Sequence, residues 1–173
     1  MPGGGRFRAL GFAGKGILPQ ERMKTSGRTM PGSELSYTGP MAKLRHIAVV
    51  VKDLEKAAAF YETVFELKRV GEEHLEMGSG IYLSDGVINL ALLKYKGESG
   101  SGLKDAASFV GAHHFGFQVD DLEAAKKRIE DAGGKFFFTL GSSKEEANFE
   151  VKYKDPDGVI FDISEKGWLG TKK

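Results

Sequence analysis

The sequence reads HIAVVVKDLEKA at residues 46–57, and the same pattern returns as HFGFQVDDLEAA at residues 114–125. Each copy opens on a histidine, and seven positions further on each has an aspartate followed by Leu-Glu. An internal repeat of this kind indicates one structural unit built twice. The repeat is therefore a stronger guide to the fold than any single motif.

Each copy has the pattern of a strand followed by a helix. Residues 44–52 are apolar and β-branched, as a buried strand is, and Asp53 and Asp121 stand where helix N-caps belong. Apolar residues then recur at helical spacing in both copies. Three short strands are predicted after each helix, near 67–74, 79–84 and 87–94 in the first copy and near 135–139, 148–154 and 159–164 in the second. The expected fold is α+β: two βαβββ modules, about 43–95 and 112–166, forming an eight-stranded curved mixed sheet around one cleft.

The composition excludes several classes of protein. The 173 residues include no cysteine, which excludes a disulfide scaffold, a thiolate zinc site and a cysteine nucleophile. No apolar run approaches the ~20 residues that cross a bilayer, and Gly, Arg and Lys interrupt any signal-peptide pattern. A formal net charge of +1 gives no field that would attract nucleic acid. We expect a cytoplasmic protein with a small-molecule substrate and neither a nucleic-acid nor a membrane partner.

Residues 1–40 differ in composition from the rest of the chain. They are rich in Gly, Pro, Ser and basic residues and show neither helical nor strand periodicity. We interpret them as a disordered extension, or as a mis-annotated one if translation begins at Met41; the basic, Ser-containing start weakly resembles a transit peptide. The domain is expected to comprise residues 41–173.

Four polar residues occupy matched positions in the two copies. Alternation along a strand turns His46 and His114 away from the helices, onto the opposite face of the sheet. Asn89 and Asp162 interrupt the apolar last strands of the two modules at equivalent places. Burying such groups is costly unless something binds them. Two imidazoles, a carboxylate and an amide oxygen suit a divalent ion, and Zn, Ni, Co, Mn and Fe(II) all remain open.

Other polar and aromatic residues are given structural interpretations. His113 is expected to point to the face opposite His114, and His74 to lie in a solvated Glu-rich stretch. Trp168 is expected to cover a sheet edge. Glu150 and Tyr153 differ in parity along one strand, so at most one of them lines the cleft.

Three segments carry a resemblance to a known family. The stretches HIAVVVKDLEKAAAFY, HHFGFQVDDLEAAKKRIEDAGGK and DPDGVIFDIS resemble the vicinal oxygen chelate superfamily over roughly residues 43–166. That superfamily includes glyoxalase I, methylmalonyl-CoA epimerase, extradiol dioxygenases and bleomycin resistance proteins. Its metal-using members place His or Gln on the first strand of each module and Glu on the last. The resemblance implies His46, His114 and Asp162 as metal ligands, with Asn89 as a departure from the family pattern.

The resemblance implies three functions, and the sequence does not choose among them. The first is a metalloenzyme, a lyase or isomerase, that chelates two substrate oxygens through a divalent ion. The second is an extradiol-type iron dioxygenase, which the two-His-one-carboxylate set fits. The third is a metal-free, drug-binding resistance protein. A homodimer is expected in each case, because pairing would cover sheet edges.

Overall fold

Both halves of the repeat form the predicted βαβββ module. The computed structural model describes residues 41–144, 146 and 149–172. The first module contains β1 (Lys43–Val50), α1 (Leu54–Phe65), β2 (Lys68–Leu75), β3 (Gly78–Ser84) and β4 (Asn89–Tyr95). The second contains β5 (Gly111–Gln118), α2 (Leu122–Asp131), β6 (Lys135–Leu140), β7 (Glu150–Lys154) and β8 (Ile160–Ser164).

The two helices begin at the predicted aspartates. The side chain of Asp53 accepts a hydrogen bond from the backbone N–H of Lys56 at 3.0 Å, and Asp121 accepts one from Ala124 at 2.9 Å. Each carboxylate thus satisfies one of the N–H groups that a helix leaves unpaired in its first turn. The repeated Asp-Leu-Glu motif therefore sets where each helix starts.

All eight strands join one mixed sheet in the order β2-β3-β4-β1-β5-β8-β7-β6. The first strands of the two modules, β1 and β5, run antiparallel at its centre. Each first strand also pairs in parallel with the last strand of its own module, β1 with β4 and β5 with β8. The sheet curls into a half-barrel, which confirms the predicted α+β fold. This topology brings the four strands that carry His46, Asn89, His114 and Asp162 next to one another.

Each helix covers its own apolar core on one face of the sheet. The core of the first module contains Ala58, Ile81, Leu83 and Leu92. The core of the second contains Val119, Leu122, Ala125, Val151, Tyr153 and Ile163. Because both cores lie on the helix face, the opposite face can bury polar side chains without interrupting either core.

Some expectations concern features beyond the described fold. Residues 1–40 lie outside the described residues, so both interpretations of that segment stay predictions. Within the described part of the chain, no helix is long and apolar enough to span a membrane. The homodimer stays a prediction that sedimentation of the purified protein would check.

Candidate metal centre

One row of residues crosses the centre of the sheet on the face opposite the helices. Strand register places Asn89 beside His46, His46 beside Gly116, Gly116 beside Asp162, and Asp162 beside Lys152. Paired residues on neighbouring strands project to the same face. The row therefore gathers an amide, an imidazole, a carboxylate and an ammonium around a glycine that has no side chain.

Asn89 fixes the proton position on His46. The side-chain N–H of Asn89 donates to the carbonyl oxygen of Leu169 at 2.9 Å, which turns its own oxygen toward His46. That oxygen lies 2.9 Å from Nδ1 of His46 and can only accept, so Nδ1 carries the proton. In a neutral ring, Nε2 of His46 then presents a lone pair to the centre of the site. The predicted fourth ligand thus contacts His46 through its side-chain oxygen.

A second set of hydrogen bonds, through His113, fixes the proton position on His114. The carbonyl oxygen of Ser101 accepts from Nε2 of His113 at 2.8 Å, so Nδ1 of a neutral His113 is an acceptor. Nδ1 of His113 lies 2.6 Å from Nδ1 of His114, which must then be the donor. Nε2 of His114 is left with a lone pair that also faces the centre.

His113 was wrongly assigned to the opposite face of the sheet. The β1–β5 pairing shifts register at this point: His114 pairs with Ala48 and Ala112 pairs with Val49, so no residue of β1 pairs with His113. A bulge of this type breaks the alternation of side chains along the strand. His113 can therefore reach His114, the residue next to it in sequence.

Nε2 of His46 and Nε2 of His114 face one buried point, where Oδ2 of Asp162 also lies. Nε2 of His46 lies 3.3 Å from Nε2 of His114, and Oδ2 of Asp162 lies 3.2 Å from the latter and 4.0 Å from the former. Four ligands at 2.1 Å around a tetrahedral ion are about 3.4 Å apart, close to the two shorter of these separations. All three residues are buried, and they form a group that could hold a metal ion. The other oxygen of Asp162, Oδ1, is buried and has no hydrogen-bond partner among the described residues.

Both candidate histidines are neutral near pH 7. Burial lowers the pKa of His46 to about 4. Burial, together with the nearby ammonium of Lys152, holds the pKa of His114 well below its ordinary value. The neutral imidazole is the form that ligates metals, so neither ring needs to lose a proton before it binds one.

Lys152 and Glu150 complete the polar cluster from β7. The ammonium of Lys152 lies 2.7 Å from Oδ2 of Asp162, 2.7 Å from Oε1 of Glu150 and 3.3 Å from Nε2 of His114. Burial by itself would lower the pKa of Lys152, but the two carboxylates hold it above its ordinary value. Glu150 lines the cleft and Tyr153 packs in the second core, which confirms that only one of them faces the site.

Trp168 belongs to the site, so its assignment to a sheet edge was wrong. Its indole stacks on His46 with ring centroids 4.9 Å apart, and its N–H donates to Oε2 of Glu150 at 2.7 Å. A methyl group at Gly116 would lie 2.5 Å from the indole. The missing side chain at Gly116 is therefore what lets the tryptophan reach the histidine.

The cleft above the cluster is mostly apolar. Its wall includes Leu75, Met77, Leu93, Phe138 and Leu140. Glu73 also lines it, and accepts a 2.6 Å hydrogen bond from the hydroxyl of Tyr82. The cleft thus combines a polar floor, apolar walls and one carboxylate in the wall.

Sequence reasoning missed Lys152 as a site residue, although its position carried a signal. Lys152 has the same parity along β7 as Glu150, which was considered as a cleft residue. A lysine in register with a buried aspartate on the next strand marks an ion pair. His113 and Trp168 carried no comparable signal, because one depends on a bulge and the other on a segment after the last strand.

The chain is similar to one described protein family and to several known proteins. Residues 43–163 match the family described as the Glyoxalase/Bleomycin resistance protein/Dioxygenase superfamily. The ethylmalonyl-CoA/methylmalonyl-CoA epimerase of Cereibacter sphaeroides is 31% identical over 109 residues, which cover 60% of this chain and 78% of that protein. The mitochondrial methylmalonyl-CoA epimerase of Homo sapiens is 27% identical over 167 residues, covering 91% and 93% respectively.

A solved structure shows the same fold. The methylmalonyl-CoA epimerase from Mycobacterium tuberculosis superimposes with a TM-score of 0.57 at 21% identity, covering 70% of this chain and 85% of that one. The matched segment, residues 43–163, includes all but the last residue of the two modules and all four residues predicted for the site. This chain belongs to the Glyoxalase/Bleomycin resistance protein/Dioxygenase superfamily.

Proposed function

We propose that this chain is a divalent-metal isomerase that moves a proton at the carbon next to a thioester carbonyl. The convergence of three lone-pair atoms at one buried point carries the proposal. Two of them, Nε2 of His46 and Nε2 of His114, lie 3.3 Å apart with no proton between them in the tautomers described above. Among the described residues no donor faces Nε2 of His46, and leaving a buried polar atom without a partner costs about 1–3 kcal/mol, which a cation at this point would remove.

His46, His114 and Asp162 are the proposed ligands. Asn89 and His113 would keep the two imidazoles in the ligating tautomer, as hydrogen-bond partners of metal-bound histidines commonly do. We propose this orienting role for Asn89 in place of a fourth ligand, because its oxygen already accepts from His46. When bound, the ion would act as a Lewis acid toward a carbonyl oxygen of the substrate. The two imidazoles and one carboxylate suit Zn, Ni, Co, Mn or Fe(II) alike.

Glu73 is the proposed proton-transferring group. It lines the same cleft as His46 and His114, and Tyr82 holds one of its oxygens at 2.6 Å. Glu150 also faces the cleft, but Lys152 holds one of its oxygens and Trp168 the other, both at 2.7 Å. Glu150 is therefore committed to the polar floor, whereas Glu73 lies in the wall of the cleft, where a substrate would be bound.

The proposed substrate class is a branched dicarboxylic acyl thioester. The two curated relatives are named as epimerases of methylmalonyl-CoA, one of them also of ethylmalonyl-CoA. The apolar wall of the cleft would accept a short alkyl branch. The metal ion would then contact the substrate's carbonyl and carboxylate oxygens beside the branched carbon. A cytoplasmic location and a homodimer remain part of the proposal.

The test is solvent exchange at the reacting carbon. Metal-loaded protein in D₂O should place deuterium at the carbon between the two carbonyl groups of methylmalonyl-CoA, as followed by mass spectrometry. Glu73→Gln should slow the exchange by about 10²- to 10⁴-fold, the usual contribution of a general base, while keeping bound metal. Glu72→Gln is the matched control, because Glu72 is adjacent in sequence and exposed. Exchange no faster than in protein-free buffer would reject the reaction, and an unimpaired Glu73→Gln would reject the role of Glu73.

An iron dioxygenase is a second candidate, favoured by one observation. Two histidines and one carboxylate are the donor set of many non-haem iron oxygenases. Oxygen consumption with a catechol, in place of deuterium exchange, would select that reading.

A further inference from the structure

The ammonium of Lys152 contacts two of the atoms that would ligate the proposed metal ion. Its ammonium contacts Oδ2 of Asp162 at 2.7 Å and Nε2 of His114 at 3.3 Å, two of the three candidate ligand atoms. Strand pairing sets this position, because Lys152 and Asp162 are partners in the β7–β8 register. The side chain is only 5% exposed, so water does not screen these contacts.

A lysine ammonium has three N–H bonds, and three acceptors surround this one. Besides Asp162 and His114, it contacts Oε1 of Glu150 at 2.7 Å. Glu150 is not one of the candidate ligands, and the indole of Trp168 holds its other oxygen at 2.7 Å. Glu150 is thus a fixed acceptor that the ammonium need not share with a metal.

We propose that Lys152 is a tethered cation that competes with a divalent ion for Asp162 and His114. This inference rests on the proposed metal centre. Nε2 of His114 has a single lone pair, which an ammonium and a metal cannot use at once, and at Oδ2 of Asp162 the two cations would lie close enough to repel each other. The ammonium neutralises the buried carboxylates in the absence of metal, and it weakens metal binding for the same reason.

The expected size of the effect follows from the contacts that compete. Freeing Asp162 and His114 from the ammonium should tighten metal binding by about 10- to 100-fold, which corresponds to one lost charge-assisted hydrogen bond. Lys152→Met alone also removes a positive charge and leaves two buried carboxylates without it. The double variant Lys152→Met/Glu150→Gln removes one positive and one negative charge, so the net charge of the site is that of the wild type.

The experiment is a titration of each protein with Co²⁺ in competition with a chelator, followed by the visible absorption of bound cobalt. The proteins are the wild type, Lys152→Met, the double variant and Lys154→Met. Lys154→Met is the matched control, because this substitution removes the same charge from the same strand. The ammonium of Lys154 lies over the ring of Phe137 rather than at the site. Lys154→Met should bind cobalt as the wild type does.

Tighter binding by the double variant supports the inference. Binding by the double variant where the wild type binds nothing would mean that Lys152 blocks the site, which supports the inference but rejects the proposed function of the wild type as a metalloenzyme. The double variant also keeps the inference testable if Lys152→Met fails to fold. Equal or weaker binding by the double variant, beside stoichiometric binding by the wild type, overturns the inference and leaves the proposed metal centre standing. Absence of cobalt binding by every variant overturns both.

Discussion

Asn89 illustrates how one side chain sets the chemistry of its neighbour. Its amide accepts from Nδ1 of His46 and donates to the Leu169 carbonyl, both at 2.9 Å. The donation fixes which way the amide points, and the acceptance fixes which nitrogen of His46 is protonated. A departure from the family's usual residue therefore still has a defined role next to the proposed ligands.

Replacing Asn89 should weaken metal binding without removing a ligand. Asn89→Leu takes away the acceptor that holds His46 in its tautomer, and such partners commonly contribute about 10- to 100-fold to metal affinity. Ser84→Ala is the control, because Ser84 pairs with Asn89 in the sheet and bonds to Gly170 without touching His46. Cobalt titration of the two variants measures the effect. Wild-type affinity in Asn89→Leu would remove Asn89 from the site.

At the residue scale, alternation and the repeat were enough to find three of the converging side chains. His46, His114 and Asp162 each lie on a strand whose parity is legible in the sequence. His113 and Lys152 were not found as site residues, for different reasons. The bulge that turns His113 depends on the pairing of β5 with β1, and that pairing is not visible in local sequence. Lys152 shares its parity with Glu150, but only its register with Asp162 shows that these two side chains pair.

At the scale of elements, the segment that follows β8, residues 168–170, packs against His46, Asn89 and Ser84. Trp168 stacks on His46, the Leu169 carbonyl holds Asn89, and the Gly170 carbonyl holds Ser84. This segment has no strand or helix periodicity, so its position on the sheet could not be predicted from the sequence. Its position depends on Gly116, where a side chain would collide with the indole.

Adding a methyl group at Gly116 should therefore loosen this segment. Gly116→Ala places a carbon 2.5 Å from the Trp168 ring, and overpacking of this kind costs about 1–3 kcal/mol of unfolding free energy. Gly97→Ala is the control, because nothing lies within 4 Å of the added carbon, and a change within about 0.5 kcal/mol is expected. Urea denaturation monitored by Trp168 fluorescence measures both. Equal stability of the two variants would mean that the indole can move without cost.

At the scale of the whole molecule, the repeat explains why matched positions of the two copies meet at the centre of the sheet. Two copies of one unit, joined through β1 and β5, bring equivalent strands to the centre of the sheet. Matched positions in the two copies then become neighbours in space, which is why a symmetry argument located the site. Symmetry could not predict the differences between the copies. Asp162 of the second copy stands at the position equivalent to Asn89 of the first, and only the second copy adds a lysine, Lys152 on β7, to the site. Those differences decide the charge of the site.

The central claim is that three buried side chains on adjacent strands bind one divalent ion. The most direct measurement is the metal content of protein purified without an affinity tag, after equilibrium dialysis against a divalent ion. The wild type should retain one ion per chain. The triple variant His46→Ala/His114→Ala/Asp162→Ala should retain none while its circular dichroism matches the wild type, because the three residues lie apart from both apolar cores. A wild type that retains no ion, or a triple variant that retains as much as the wild type, would contradict the account.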